Sequence, residues 1–122
     1  MVEKLIDMAI PEIPEGEKIL KEGIIAISML YQKPDRRYAY KYAITEKGMW
    51  TRSPKVPFVK PKTVFMPYDL LESFALSKYD GFPCLIFHPK EGRPESRMFF
   101  DDNDGAVKIF DVYIPRTELQ TG

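Results

Sequence analysis

Between Tyr38 and Thr45 the chain alternates strictly over eight residues: Tyr38, Tyr40, Tyr42 and Ile44 on one side, Ala39, Lys41, Ala43 and Thr45 on the other. A period of two predicts a β-strand. The row that turns inward follows from what each could give a core. An aromatic ring can bury roughly 150–250 Å², whereas burying an unpaired lysine is costly. The tyrosine row is therefore expected inside, Ile44 deepest and Tyr38 nearest solvent, with Lys41 and Thr45 exposed. The turn should lie at Glu46 to Gly48, the glycine supplying positive φ. The run from Met49 to Ser53 should return as the partner strand.

The remaining pattern is of short elements. Leu5, Ile6, Met8 and Ala9 make the apolar side of one short helix stopped by Pro11, and a turn-rich lead-in follows up to Lys18. The isoleucine-rich run from Ile19 to Gln32 has no helix caps and predicts a strand. Pro34 and Asp35 suit the centre of a type I turn after it. Pro54, Pro57 and Pro61 keep their segment out of a sheet interior, so it is expected as an extended loop. Thr63 to Tyr79 should hold one strand, or two short ones bent near Pro67. Pro83–Pro89 and Ser96–Asp102 should be further strands, with a hairpin loop over Glu91–Ser96. Then the period changes to three and four, at Ala106, Ile109, Phe110, Tyr113 and Ile114. That predicts an amphipathic helix, capped by Asp102 or Asp104 and stopped by Pro115.

Composition supports this and removes several classes of function. The 122 residues, 44% hydrophobic and 30% charged, make one ordinary globular domain. Eleven prolines, eight phenylalanines and seven tyrosines favour strands broken by turns. Eighteen basic and eighteen acidic residues cancel, so no global field draws the chain to nucleic acid or membrane. Any such contact needs a local patch. The single cysteine, Cys84, has no disulfide partner within the chain and fits a reducing compartment. Glu3, Lys4 and Asp7 deny the N-terminus a signal-peptide core, and no run approaches the about 18 apolar residues of a membrane span. A soluble, cytoplasmic protein is expected.

An all-β order closed by one amphipathic helix has few solutions, because the helix must cover something apolar, such as the open end of a bent sheet. The sequence resembles the bacterial pleckstrin-homology (PH)-like domains in several stretches. These are "GEKIL" (Gly16–Leu20) leading into the first strand, "YAITEKGMW" (Tyr42–Trp50) at their characteristic hairpin, "MPYDLLESF" (Met66–Phe74) entering a strand, and the final helix. The resemblance covers residues 15 to 115 and departs from the family at the proline-rich insertion Pro54–Pro61. It implies a mainly β fold: a PH-like bent antiparallel barrel or sandwich of about seven strands, capped by one C-terminal α-helix. The expected organisation is an N-terminal extension over 1–14 with its short helix, the barrel domain over 15–116, and a tail over 117–122.

Fold does not imply function. PH-like barrels serve as lipid-binding, peptide-binding and self-assembly modules. The resemblance places a candidate anion- or lipid-binding cluster at Lys33, Arg36, Arg37, Lys41 and Arg52, around the first hairpin loop. Asp35 and Glu46 lie beside it, and a basic cluster offers only about 1 kcal/mol per charge at an anionic surface. The tyrosine row flanked by these cations also reads as a base-stacking platform for single-stranded nucleic acid, but a balanced net charge argues against it.

Other constellations dissolve on inspection. "FDDNDGAVKIFD" invites a calcium-loop reading, yet aligning Gly105 with the loop glycine puts Phe100 first and Asp111 twelfth, so both end ligands fail. Helix capping explains those acids. Cys84 and His88 stand four residues apart on a strand, about 13 Å, too far for a nucleophile–base pair, and two ligands do not make a metal site. A buried cysteine and a rim histidine are expected. Seven scattered glycines form no phosphate loop. No catalytic residue, metal, cofactor or small-molecule substrate is therefore assigned.

The expected function is a non-enzymatic interaction module that binds protein partners or assembles with itself. The alternatives are anionic lipid at the basic loop and single-stranded nucleic acid over the tyrosines. Apolar strand edges pair with other chains unless blocked, and the runs "GIIAISML" and "CLIFH" point to Ile24, Ile27, Met29, Leu85 and Phe87 as the candidate protein interface.

Overall fold

The structure, a computed structural model, describes residues 13–30, 33–34, 39–54, 57–58 and 60–121, the last four of these as backbone. Eight strands run β1 (Ile19–Met29), β2 (Ala39–Thr45), β3 (Gly48–Arg52), β4 (Thr63–Pro67), β5 (Leu71–Tyr79), β6 (Phe82–Pro89), β7 (Ser96–Phe100) and β8 (Arg116–Thr121). One helix, α1 (Asn103–Tyr113), lies between β7 and β8, and a 3-10 turn at Tyr68–Leu70 bends the chain from β4 into β5. The strands form one curled sheet in the order β4-β3-β2-β1-β7-β6-β5-β8. This is the expected mainly β, helix-capped barrel, matching the PH-like form. The helix expected over Leu5–Ala9, the turn residue Asp35 and Tyr38 lie outside the described residues.

β1 is the strand that bends the sheet. Residues 19–26 pair with β2, and residues 25–29 pair with β7, so the two halves meet around Ile25 and Ala26. The concave side holds the core: Ile25, Tyr42, Ile44, Met49, Phe74, Leu85, Phe87 and Phe100 are all buried there. α1 closes it with Ala106 and Phe110, four apart on one helix face, and Ile114 just past the helix end joins them in the core. The Phe110 ring is the centrepiece, with ring centroids of Phe87 at 5.1 Å, Phe100 at 5.7 Å, Phe74 at 6.0 Å and Tyr68 at 6.4 Å. Asp102 caps the helix, its side chain accepting the Gly105 N–H at 3.1 Å. The Lys21 ammonium at 2.9 Å, followed by that N–H, holds the Asp102 carboxyl below its usual range.

The tyrosine row faces inward as expected: Tyr42 and Ile44 are fully buried and Tyr40 packs half-buried against the core. Four expectations need correction. Thr45 is buried, not exposed, because Glu17 from the lead-in folds over it and accepts a hydrogen bond from its hydroxyl at 2.5 Å. Lys41 is half-buried rather than exposed. Gly48 does not have positive φ; it is a strand residue, and a Cβ there would stand 2.3 Å from the Met66 carbonyl of β4. The tail carries a strand rather than a free end: β8 adds to β5 in parallel after α1 crosses the open end. Asp80 and Gly81, both at positive φ, make the tight β5–β6 turn, a residue pair suited to such a turn that sequence reading did not single out.

Candidate functional site

The residues expected as a protein interface sit mostly on interior strands and in the core. β1 and β6 are interior strands: β1 pairs with β2 along its first part and with β7 along its last, and β6 lies between β5 and β7. Leu85 and Phe87 are completely buried among the core rings. Ile27 packs half-buried against that core, Met29 is half-buried, and only Ile24 is an exposed apolar side chain. An apolar run marks a buried strand as readily as an edge strand, and here the first reading applies.

The basic cluster is brought together only in part. Lys41 and Arg52 are cross-strand partners in β2 and β3. Arg52 directs its guanidinium at the Thr63 hydroxyl, 2.5 Å away. Lys33 is exposed, and Arg36 and Arg37 lie outside the described residues. Tyr42 is buried, with its hydroxyl committed to Asp101, so it has no ring face for a base.

Cys84 and His88 are also accounted for. The thiol is fully buried, and burial pushes its pKa up, so the reactive thiolate is disfavoured. His88 Nδ1 is engaged by the Glu95 carboxylate. Among the described residues no group of three or more His, Cys, Asp or Glu could hold a metal ion. No helix among them is long and apolar enough to cross a membrane.

The sheet does have two outer strands, β4 and β8. On β4 the free backbone groups can be identified. The bonds bracketing the β3–β4 ladder are Ser53 N–H to Lys62 C=O at 3.0 Å and Tyr68 N–H to Lys47 C=O at 3.2 Å. Antiparallel bonding alternates, so Lys62, Val64, Met66 and Tyr68 turn their backbone groups to β3. Thr63, Phe65 and Pro67 turn theirs outward. Among the described residues nothing pairs with that edge. Pro67 has no N–H, and at an outward position it breaks no ladder bond.

Aromatic side chains stiffen the same region. Phe65 stacks on Trp50 at 4.3 Å, and the Trp50 indole N–H donates to Glu17 at 2.9 Å. Burial opposes ionisation of the Glu17 carboxyl, but hydrogen bonds from Thr45 and Trp50 and the charge of Lys47 outweigh it and hold the pKa below the usual range. At the Pro67 end Tyr68 stacks on Tyr113 at 4.6 Å and donates its hydroxyl to the Thr45 carbonyl at 2.6 Å. Burial, then neighbouring Tyr113, push the Tyr68 hydroxyl above its ordinary range, so it stays a neutral donor.

These rings wall an open pocket of about 510 Å³ beside the end of β4, with Phe65, Pro67, Tyr68 and Tyr113 as its apolar side and Glu46, Lys47 and Asp69 at its rim. Sequence reading missed it because Tyr68, Tyr113 and Glu46 meet only through the fold. The Pro-Tyr-Asp stretch at Pro67–Asp69 was visible, but nothing in it announces a partner 44 residues further on, where Tyr113 lies.

The fold and this edge define a helix-capped, curled and mainly antiparallel barrel whose outer strand β4 leads into an aromatic pocket. No model of a known family matches the chain, and no curated protein matches it.

Proposed function

We propose that this protein is a non-enzymatic interaction module that receives an extended segment of a protein chain along β4. The observation that carries this reading is the outward row of backbone groups on Thr63, Phe65 and Pro67 running into the aromatic pocket at Tyr68 and Tyr113. Main-chain hydrogen bonds supply affinity in strand addition, and a pocket beside the edge supplies preference among side chains. Rigid aromatic walls favour binding further, because little side-chain freedom is lost when they are covered.

Selection of a random-peptide phage library on the wild-type protein, counter-selected on Val64→Lys, tests the reading. Val64 is exposed and its backbone faces β3, so a lysine there leaves the β3–β4 ladder intact and sets a charge beside any added strand. Enriched peptides should slow hydrogen exchange of the Thr63 and Phe65 amides. Peptides that protect only amides elsewhere, or no enrichment over the variant, would overturn it.

A further inference from the structure

The β4 edge is complementary to itself, and we infer that its partner is a second copy of this chain, bound antiparallel about a two-fold axis. The inference rests on the strand-addition reading above and names its occupant. With Phe65 opposite Phe65 of the second copy, each Phe65 N–H meets the other's C=O. Each Thr63 N–H then meets the Pro67 C=O of the other copy. Every outward N–H of β4 is satisfied in this register. Pro67, which has none to give, falls opposite a Thr63 carbonyl that water can serve. Closed two-fold pairing of one patch with itself is the commonest way soluble chains assemble.

Side chains agree with the same register. Phe65 lies on the Trp50 face of the sheet, so the two Trp50–Phe65 stacks meet edge to edge across the axis. On the other face Val64, half exposed in the single chain, falls opposite Met66 of the second copy, which is itself only partly buried. Charge agrees as well. Exposed Lys60 and Lys62 precede β4, while exposed Asp69 and half-buried Glu46 stand at its far end, with Lys47 the one cation among them. Antiparallel pairing sets the lysine end of each copy against the acidic end of the other.

The test is the solution mass of the full chain by sedimentation, with two charge-reversal variants at exposed positions. Wild type should sediment at twice the 14.2 kDa of one chain. Lys62→Glu and Asp69→Lys should each weaken the dimer by about tenfold or more, since each sets like charges together at both ends. Mixed one to one, the two variants should regain the dimer, because both ends then pair opposite charges. Val64→Lys should dissociate it while near-UV circular dichroism stays native. A wild type that is monomeric at every soluble concentration overturns the inference, as does a dimer that Val64→Lys leaves intact or a mixture that fails to recover. If the monomer still takes up selected peptides that protect the Thr63 and Phe65 amides, only the second copy is wrong. If it takes up none, the strand-addition reading falls with it.

Discussion

The hydroxyl of Tyr42, in the middle of β2, donates to the carboxylate of Asp101, at the threshold of α1, across 2.9 Å. The same carboxylate accepts the Ile24 N–H at 3.0 Å and the Asp102 N–H at 2.9 Å. One acidic side chain therefore ties together β2, β1 and the start of the helix that closes the barrel. Burial, then the Asp101 hydrogen bond and charge, drive the Tyr42 hydroxyl far above its ordinary range, so it remains a donor at any physiological pH.

Removing that hydroxyl should be felt in stability. Tyr42→Phe is expected to destabilise by about 1.5 kcal/mol, the lower end of the range for a hydrogen bond to a charged group. Asp101→Ala should cost more, about 2 to 3 kcal/mol, because the Tyr42 hydroxyl and the Ile24 N–H both lose their acceptor. In urea unfolding, the double variant should lose less than the sum of the two. Strict additivity would mean that the contact carries no energy.

Close approach, rather than turn geometry, explains two glycines. A Cβ on Gly23 would stand 2.2 Å from the Asp101 carboxylate, and one on Gly48 2.3 Å from a backbone oxygen of β4. Gly48→Ala should destabilise by about 1 to 3 kcal/mol, since backbone must shift, and should speed exchange of β4 amides. Gly92→Ala, in open space at φ 70°, should destabilise through backbone strain alone and leave those amides unchanged.

Phe110 is the deepest side chain of α1 and touches rings from β5, β6 and β7. Phe110→Ala should destabilise by about 3 to 5 kcal/mol, read as a lower urea midpoint. Val112→Ala, one helix face away and 73% exposed, should change stability by less than about 0.5 kcal/mol.

Glu17 and Asp102 both have carboxyls held below their ordinary values in the folded chain. Each therefore contributes stability that is fully present above the ordinary carboxylate range and is lost as pH falls through its lowered folded-state pKa. Glu17→Gln keeps an acceptor for Thr45 and Trp50 but removes the titration. Its unfolding free energy should fall less steeply than wild type between about pH 5 and 3. An identical slope would show that Glu17 is not one of the groups responsible.

Much of this architecture was legible in the chain. The alternation at Tyr38–Thr45 located β2 and its inward row, and the spacing of Ala106, Ile109 and Phe110 located α1, with Asp102 and Pro115 near its ends. What misled was inference from a single strand's own pattern. Thr45 looks like a solvent-facing residue until Glu17 is brought back over it from 28 positions away. Leu85 and Phe87 look like a sticky edge until β5 and β7 are seen on either side of them.

The repeating geometry was already written in the chain: a period of two where the backbone is extended, a period near four where it is helical, and the prolines and caps that end each run. Those signals are local, because each depends on the dihedral preferences and side-chain directions of neighbours in the chain. Which strands end up on the outside of the sheet, β4 and β8, was settled by the three-dimensional fold. Edge or interior position depends on hydrogen bonds between segments far apart in the chain, such as residues 25–29 with 96–100 and Phe74 with Arg116. The same fold brings Tyr68 and Tyr113 face to face and leaves β4 open beside them.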